Sequence, residues 1–174
     1  MPNCIIPEYC EARALVLGCG NVLFGDDGFG PEVAWRLLKN YPIPPGVFVM
    51  EARVSVREIL FDLILSKKRP EKIIIVDAID AGRAPGEVFE IDLSQMPANK
   101  IDDFSMHQLP TSNLLRELKE ICGVEVIIVS AQVEHIPESV SPGLSSALSA
   151  AVPTACKMVI DRAVFSASAR GPSL

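Results

Sequence analysis

The chain has 174 residues, 49% of them hydrophobic and 22% charged, a balance that suits one globular domain with a full core and not a disordered segment. Its 16 Lys and Arg against 22 Asp and Glu leave a net charge of −6, and with no basic cluster this argues against nucleic acid or an anionic membrane surface as the main partner. No apolar run approaches the ~20 residues of a spanning helix. Residues 1–13 contain Glu8 and Glu11 and lack the basic-then-apolar order of a secretory leader. The five cysteines are scattered and form no C-x-x-C, which disfavours a disulfide framework or zinc knot and makes a reducing cytoplasm the expected setting.

Short β-branched runs alternate with longer helical patterns, the rhythm of α/β packing. Ala14–Leu17 is the first predicted strand and runs into Gly18-Cys19-Gly20. A helix follows from about Pro31, a residue suited to a first helical position. Val33, Ala34, Leu37 and Leu38 form its stripe, and Tyr41-Pro42 ends it. Val47–Met50 is a second strand. Ser55-Val56-Arg57-Glu58 has the capping-box spacing, ahead of a helix burying Ile59, Leu60, Leu63 and Ile64. Ile73–Val76, apolar at every position, reads as a strand covered on both faces.

Val88–Ile91 is a fourth strand. About ten residues separate it from the third, too few for a helical crossover, which predicts an antiparallel pairing. Pro110–Cys122 is predicted as a helix with Leu114, Leu115, Leu118 and Ile121 inward and Gly123 as its stop. Val124–Ser130 is a fifth strand. A last helix spans about Leu144–Phe165, with Pro153 as a point of possible interruption. The expected organisation is an extension over 1–13, one domain over 14–165 and a fraying tail over 166–174.

A strand ending in Gly18-x-Gly20 suggests a dinucleotide-binding turn, but that fingerprint needs a third glycine or alanine three residues on, and position 23 is Leu. Asp26 and Asp27 would also repel a pyrophosphate, and there is no G-x-x-x-x-G-K-[ST] loop. Gly25–Gly30 looks built for a cation or a donor-rich peptide. One acid of the pair can cap the helix or close a turn; the second has no such visible reason. Asp77 follows the third strand, at the carboxyl edge where open α/β sheets bind ligands, or it caps the next turn. Asp80 reads as a solvated loop acid.

His107 and His135 are the only histidines, and neither lies in a familiar zinc motif. His107, before Pro110, can be a ligand, a base or a polar loop residue; a structural or solvated role fits His135. Together Asp27, Asp77 and His107 would make a mixed oxygen/nitrogen site for a borderline divalent metal. On spacing alone, the capping and loop alternatives for each remain open. A Cys19–His107 pair is conceivable, though a small residue packing under the loop suits Cys19 better.

The ordered series Gly18-x-Gly20-Asn21, Gly25-Asp26-Asp27-Gly28-x-Gly30-Pro31, Val76-Asp77-Ala78, Ala84-Pro85-Gly86 and His107-Gln108-Leu109 resembles the hydrogenase maturation endopeptidases over residues 14 to 165. Ser55–Asp62 and Phe104–Leu115 are most similar to the archaeal branch serving coenzyme F-420-reducing hydrogenases. The double Asp and Leu109-Pro110 also resemble the formate-hydrogenlyase-type branch. The resemblance implies a single three-layer α/β domain, a twisted and mostly parallel five-stranded sheet with helices on both faces. It implies a cytoplasmic endopeptidase that removes the C-terminal tail of a nickel–iron hydrogenase large-subunit precursor after nickel insertion; a monomer is the default expectation, independent of the resemblance. The nickel is carried by that precursor, and zinc or cadmium can occupy the same donors in vitro.

The family's metal contacts carry over to Asp27, Asp77 and His107. Asp27 and Asp77 are also the candidate general bases, in an aspartic-type or metal-assisted reaction. Where many members have Asp-Gly-Gly-Thr, this chain reads Glu51-Ala52-Arg53-Val54, which alters the expected cleft wall. The reading from another class is a non-catalytic nickel-sensing chaperone of the same precursor.

Overall fold

The computed structural model describes residues 7–95 and 112–164. A short helix α1 (Glu8–Glu11) precedes β1 (Ala14–Cys19), and a 3-10 turn, Gly25–Gly28, leads into α2 (Phe29–Asn40). Then come β2 (Val47–Arg53), α3 (Val56–Leu65), β3 (Lys72–Ile79) and β4 (Val88–Ile91). They are followed by α4 (Ser112–Glu120), β5 (Glu125–Gln132) and α5 (Ser146–Ala163). The sheet order is β2-β1-β3-β5-β4, with β2, β1, β3 and β5 parallel. This is the expected five-stranded, mostly parallel sheet with helices on both faces.

Alternation along the strands explains the layers. Val16, Ile74, Val76 and Val129 face α2 and α5, packing with Val33, Leu37, Leu148, Val152 and Val159. Leu15, Leu17, Ile73, Ile75 and Ile128 face the other way, onto Leu60 and Leu63 of α3 and Leu115 and Leu118 of α4. Ile73, Ile74, Ile75 and Val76 are wholly buried, because β3 is covered on both faces and has a strand on either side.

Several local expectations change. The β4 strand is antiparallel, but its partner is β5 and not the strand it follows. The connection from β3 passes over the place that β5 fills later. It is held there because Gly86 N–H donates to the Gln132 carbonyl and Gln132 N–H donates to that of Glu87. Leu38 and Ile121, placed in buried stripes from spacing, are exposed; α4 ends at Glu120, so Ile121 has left its face. Ser55 makes no side-chain cap, since its backbone is in a turn (φ −88°, ψ 10°) and not the extended geometry of an N-cap. Helix α5 continues through Pro153. That residue is exposed, where water can satisfy the carbonyl that proline leaves without a donor. Helix α2 begins at Phe29, so Pro31 lies within its first turn instead of opening it. The four residues of α1 are too few for periodicity to reveal. Pro110, Phe165 and the 166–174 tail fall outside the described residues.

Two glycines set the distance between α2 and the sheet. A Cβ on Gly18 would lie 2.3 Å from the Gly30 carbonyl oxygen. One on Gly30 would lie 2.2 Å from the oxygen of Cys19 and 2.3 Å from that of Val76. The start of α2 therefore rests directly on the backbones of β1 and β3. Among the described residues no helix is long and apolar enough to cross a membrane. Gly30→Ala should destabilise the fold by about 3 kcal/mol or more. Urea unfolding would measure it, and a loss below about 1 kcal/mol would contradict this contact.

Candidate active site

The carboxyl ends of β1, β2, β3 and β5 share one edge of the sheet, and the sequence sends its polar residues there. The loop after β1 is pinned by Asp26, which is almost fully buried. Its Oδ2 accepts from the backbone N–H groups of Glu134 (2.8 Å) and His135 (3.1 Å), and Oδ1 accepts from Ser145 N–H (2.7 Å). A second tie is the bridge of Phe24 with Ser141. There Gly25 N–H donates to the Ser141 carbonyl and Ser141 N–H to that of Leu23, both at 2.9 Å. Asp26 is thus the structural acid of the pair, fastening the β1 loop to the β5–α5 connection.

Asp27 is left to face the sheet edge. It is half-buried, and its Oδ2 accepts from Asn21 N–H at 2.9 Å. The loop wraps it so closely that a Cβ on Gly20, whose φ is +119°, would lie 1.9 Å from the Asp27 carbonyl oxygen. Only glycine supplies that conformation and clearance at little cost.

Asp77 stands within β3, not after it, and is 8% exposed. Its Oδ1 accepts from the adjacent Ala78 N–H at 2.8 Å. Burial pushes its carboxyl well above the ordinary 3.8; the Ala78 bond opposes the rise, and the negative charge of Asp27 adds to it. The structure therefore brings Asp27 and Asp77, fifty positions apart in sequence, into one electrostatic neighbourhood. Cys19 lies on the same side of the sheet. Its thiol is also pushed up, by burial first and then by the Asp77 charge. It is a neutral, buried thiol, unlike the exposed thiolate that nucleophilic chemistry needs.

Two acids near enough to influence each other's charge offer oxygen donors that suit a hard or borderline divalent ion. His107, the third residue of the expected trio, lies outside the described residues. Among the described residues no group of three metal-ligating side chains assembles. His135 is exposed and contributes its backbone N–H to Asp26.

The wall beside β1 has an unexpected shape. Gly18 pairs with Glu51 and Cys19 with Arg53, so Ala52 is an extra residue that bulges β2. Among the described residues Arg53 is the one non-glycine with positive φ, +50°. Its Nε and Nη2 donate to Glu51 Oε2 at 3.1 and 2.9 Å, and its carbonyl accepts from Gly20 N–H at 3.3 Å. The bulge thus keeps a glycine-like backbone turn without a glycine.

Gln132, which sequence reasoning passed over, organises the opposite wall. Its Oε1 accepts from Ala81 N–H (2.8 Å) and Arg83 N–H (3.1 Å), and its Nε2 donates to Asp80 Oδ1 and the Val133 carbonyl, both at 3.0 Å. Asp80 is therefore more than a solvated loop acid: it also accepts from Gly82 N–H. The available signal was a polar residue closing a buried strand.

The two neighbouring acids should separate in experiment. Asp26→Ala removes the acceptor of three backbone N–H groups and should cost about 3 kcal/mol of unfolding free energy. Asp27→Asn should change stability by less than about 1 kcal/mol; equal losses in denaturant titration would contradict the division of roles. Asp77 gives a pH signature. Its folded-state pKa is raised, so the folded protein holds the proton more tightly than the unfolded chain. Its stability contribution is complete below the ordinary 3.8 and is lost as pH rises through the raised value. Asp77→Asn cannot ionise. Thermal unfolding should therefore favour the Asn variant by a margin that widens from about pH 4 toward neutrality. A margin independent of pH would contradict the burial of this charge.

The hydrogenase maturation protease model HycI matches residues 31–162. A Methanocaldococcus jannaschii protein named as a candidate hydrogenase maturation protease is 37% identical over 147 residues, covering 84% of this chain and 93% of its own. The coenzyme F420 hydrogenase subunit delta of Methanothermobacter thermautotrophicus is 32% identical over 155 residues, 87% of this chain and 94% of its own. In structure, the Escherichia coli hydrogenase maturating endopeptidase HybD superimposes with a TM-score of 0.64 at 27% identity, covering 86% of this chain and 91% of that one. Matched over most of its length by that family model and by these relatives, the chain belongs to the hydrogenase maturation protease family.

Proposed function

We propose that this protein is a cytoplasmic endopeptidase that removes the C-terminal extension of a nickel–iron hydrogenase large-subunit precursor once nickel is in place. The observation that carries the proposal is the pair Asp27 and Asp77, brought together at the carboxyl edge with Asp77 buried. Membership of the family supports the reaction class. The similarity to a coenzyme F420 hydrogenase subunit supports a hydrogenase of that archaeal type as the source of the precursor.

Nickel in this scheme is substrate cargo, already held by the precursor. Asp77 is costly to ionise alone, because it is desolvated and faces a second negative charge. A cation arriving with the precursor offsets both terms. Asp27, Asp77 and His107 then complete the metal's shell, and the scissile bond is held where it can be attacked. A precursor without nickel lacks that link. Water is activated either by the metal or by a carboxylate acting as general base. A carboxylate that holds the metal through both oxygens has no lone pair free for a proton, so Asp27 or Asp77 serves as base only through an oxygen that the metal leaves free. Zinc or cadmium would fill the same oxygen and nitrogen donors in vitro without being the working ion. The enzyme acts as a monomer on a protein partner.

The test is the intact mass of the precursor after incubation with this protein, with and without nickel loaded. Loss of a C-terminal fragment from the nickel-loaded form alone is expected. His107→Ala, Asp27→Asn and Asp77→Asn should each abolish cleavage while keeping the fold. A stable complex with no fragment released would replace the protease by a nickel-sensing chaperone, and full activity in any variant would remove that residue from the trio.

A further inference from the structure

Ser130, in the middle layer of the fold, has no role in the site as described so far. It is wholly buried, and its hydroxyl has no hydrogen-bond partner among the described residues. A buried hydroxyl without a partner carries a desolvation cost that alanine would avoid, so its presence asks for a reason. Register supplies one. Ser130 is the direct partner of Asp77 across the β3–β5 ladder. In-register residues of a parallel pair project to the same face, and both continue the series that buries Ile75 and Ile128 against α3 and α4.

The other neighbours on that face are spent or apolar. Across the β4–β5 ladder Ser130 pairs with Phe89, whose ring lies under the Arg83 guanidinium at 4.0 Å from its centroid. Below it on β5 stands Ile128. Above it stands Gln132, with Oε1 and Nε2 committed to Ala81, Arg83, Asp80 and Val133. Among the described residues flanking Ser130 on this face, Asp77 is the polar group that remains. Its Oδ1 already accepts from Ala78 N–H.

We propose that Ser130 is a positioning residue, whose hydroxyl donates to the Asp77 carboxylate and fixes its plane when the metal-bearing precursor engages the site. This rests on the protease reading above. Carboxylates that hold a metal are themselves held by hydrogen bonds, and losing such a support commonly costs about 10- to 100-fold in affinity or activity. One oxygen of Asp77 is oriented by its own strand; the Ser130 hydroxyl supplies the second constraint from the neighbouring strand. The device is idle in the free protein and adds no contact to the substrate.

The experiment compares Ser130→Ala and Ser130→Thr with wild type in the full chain, measuring release of the tail from nickel-loaded precursor at varied precursor concentration, with thermal unfolding in parallel. For Ser130→Ala, kcat should fall about 10- to 100-fold with KM within about twofold, and Tm should be unchanged or higher. Ser130→Thr, which keeps the hydroxyl, should recover most of the rate. A wild-type rate in Ser130→Ala would overturn the proposal, as would a raised KM at constant kcat. So would a fall in Tm for Ser130→Ala, since the hydroxyl would then have a structural partner. Ser130→Thr as slow as Ser130→Ala at unchanged Tm would also count against it. Wild type that never cleaves would refute the protease reading and this role together, whereas active wild type with an unaffected Ser130→Ala removes Ser130 alone.

Discussion

The carboxylate of Asp26 accepts three backbone N–H groups from residues 108, 109 and 119 positions further along the chain. The shape of the site depends on it. The glycine-rich loop after β1 would otherwise be a long surface connection. Bound at its centre to the start of α5 and to the segment leaving β5, it has one conformation. Asp27 follows immediately, so its placement is inherited from Asp26. Asp26 is tolerable in the core because its acceptor capacity is met by donors that themselves need partners: the segment leaving β5 and the residue capping α5.

Asp77 is in the opposite condition. It has a single backbone donor in its favour, set against burial and a like charge nearby. The fold places one well-satisfied and one poorly satisfied carboxylate on the same edge, and the difference between them is a functional statement. A group stabilised by the fold serves the fold. A group that the fold leaves costly to ionise either keeps its proton or has that cost lowered by something from outside. On the proposed reading, a cationic centre carried by the precursor would meet that description, and recognition would fail when the cation is absent.

What the sequence made legible follows from how local each signal is. The run Ile73–Val76 declares a buried strand by itself, and α2 and α3 show their apolar stripes within a dozen residues. The partner of β4 was not legible, because the strand that it joins is encoded some thirty residues later and loop length constrains direction but not neighbour. The pair Asp26 and Asp27 could be recognised as one structural and one surplus acid, yet which was which depended on donors more than a hundred residues away. Gln132 and Ser130 look like the polar end of a strand. Their meaning lies in what stands beside them across the ladder, and one chain read along its length does not show that. Ser55 erred the other way: its spacing to Glu58 matched a cap, but a turn after the β2 bulge set its backbone first.

The glycines explain why this loop imitates a dinucleotide-binding turn without being one. In that turn the third glycine sits close behind the first two, so that helix and strand approach at once and a pyrophosphate meets the helix start. Here the close approach is made by Gly30, inside α2, against Gly18, Cys19 and Val76. Moving the contact further along the chain frees residues 20–28 to leave the strand, turn at Gly20 and return with two acids. The segment that leads into the helix carries Asp26 and Asp27, whose negative charge opposes a phosphate there. One steric requirement, a glycine where helix meets sheet, thus serves opposite electrostatic ends, decided by how many residues separate it from the end of the strand.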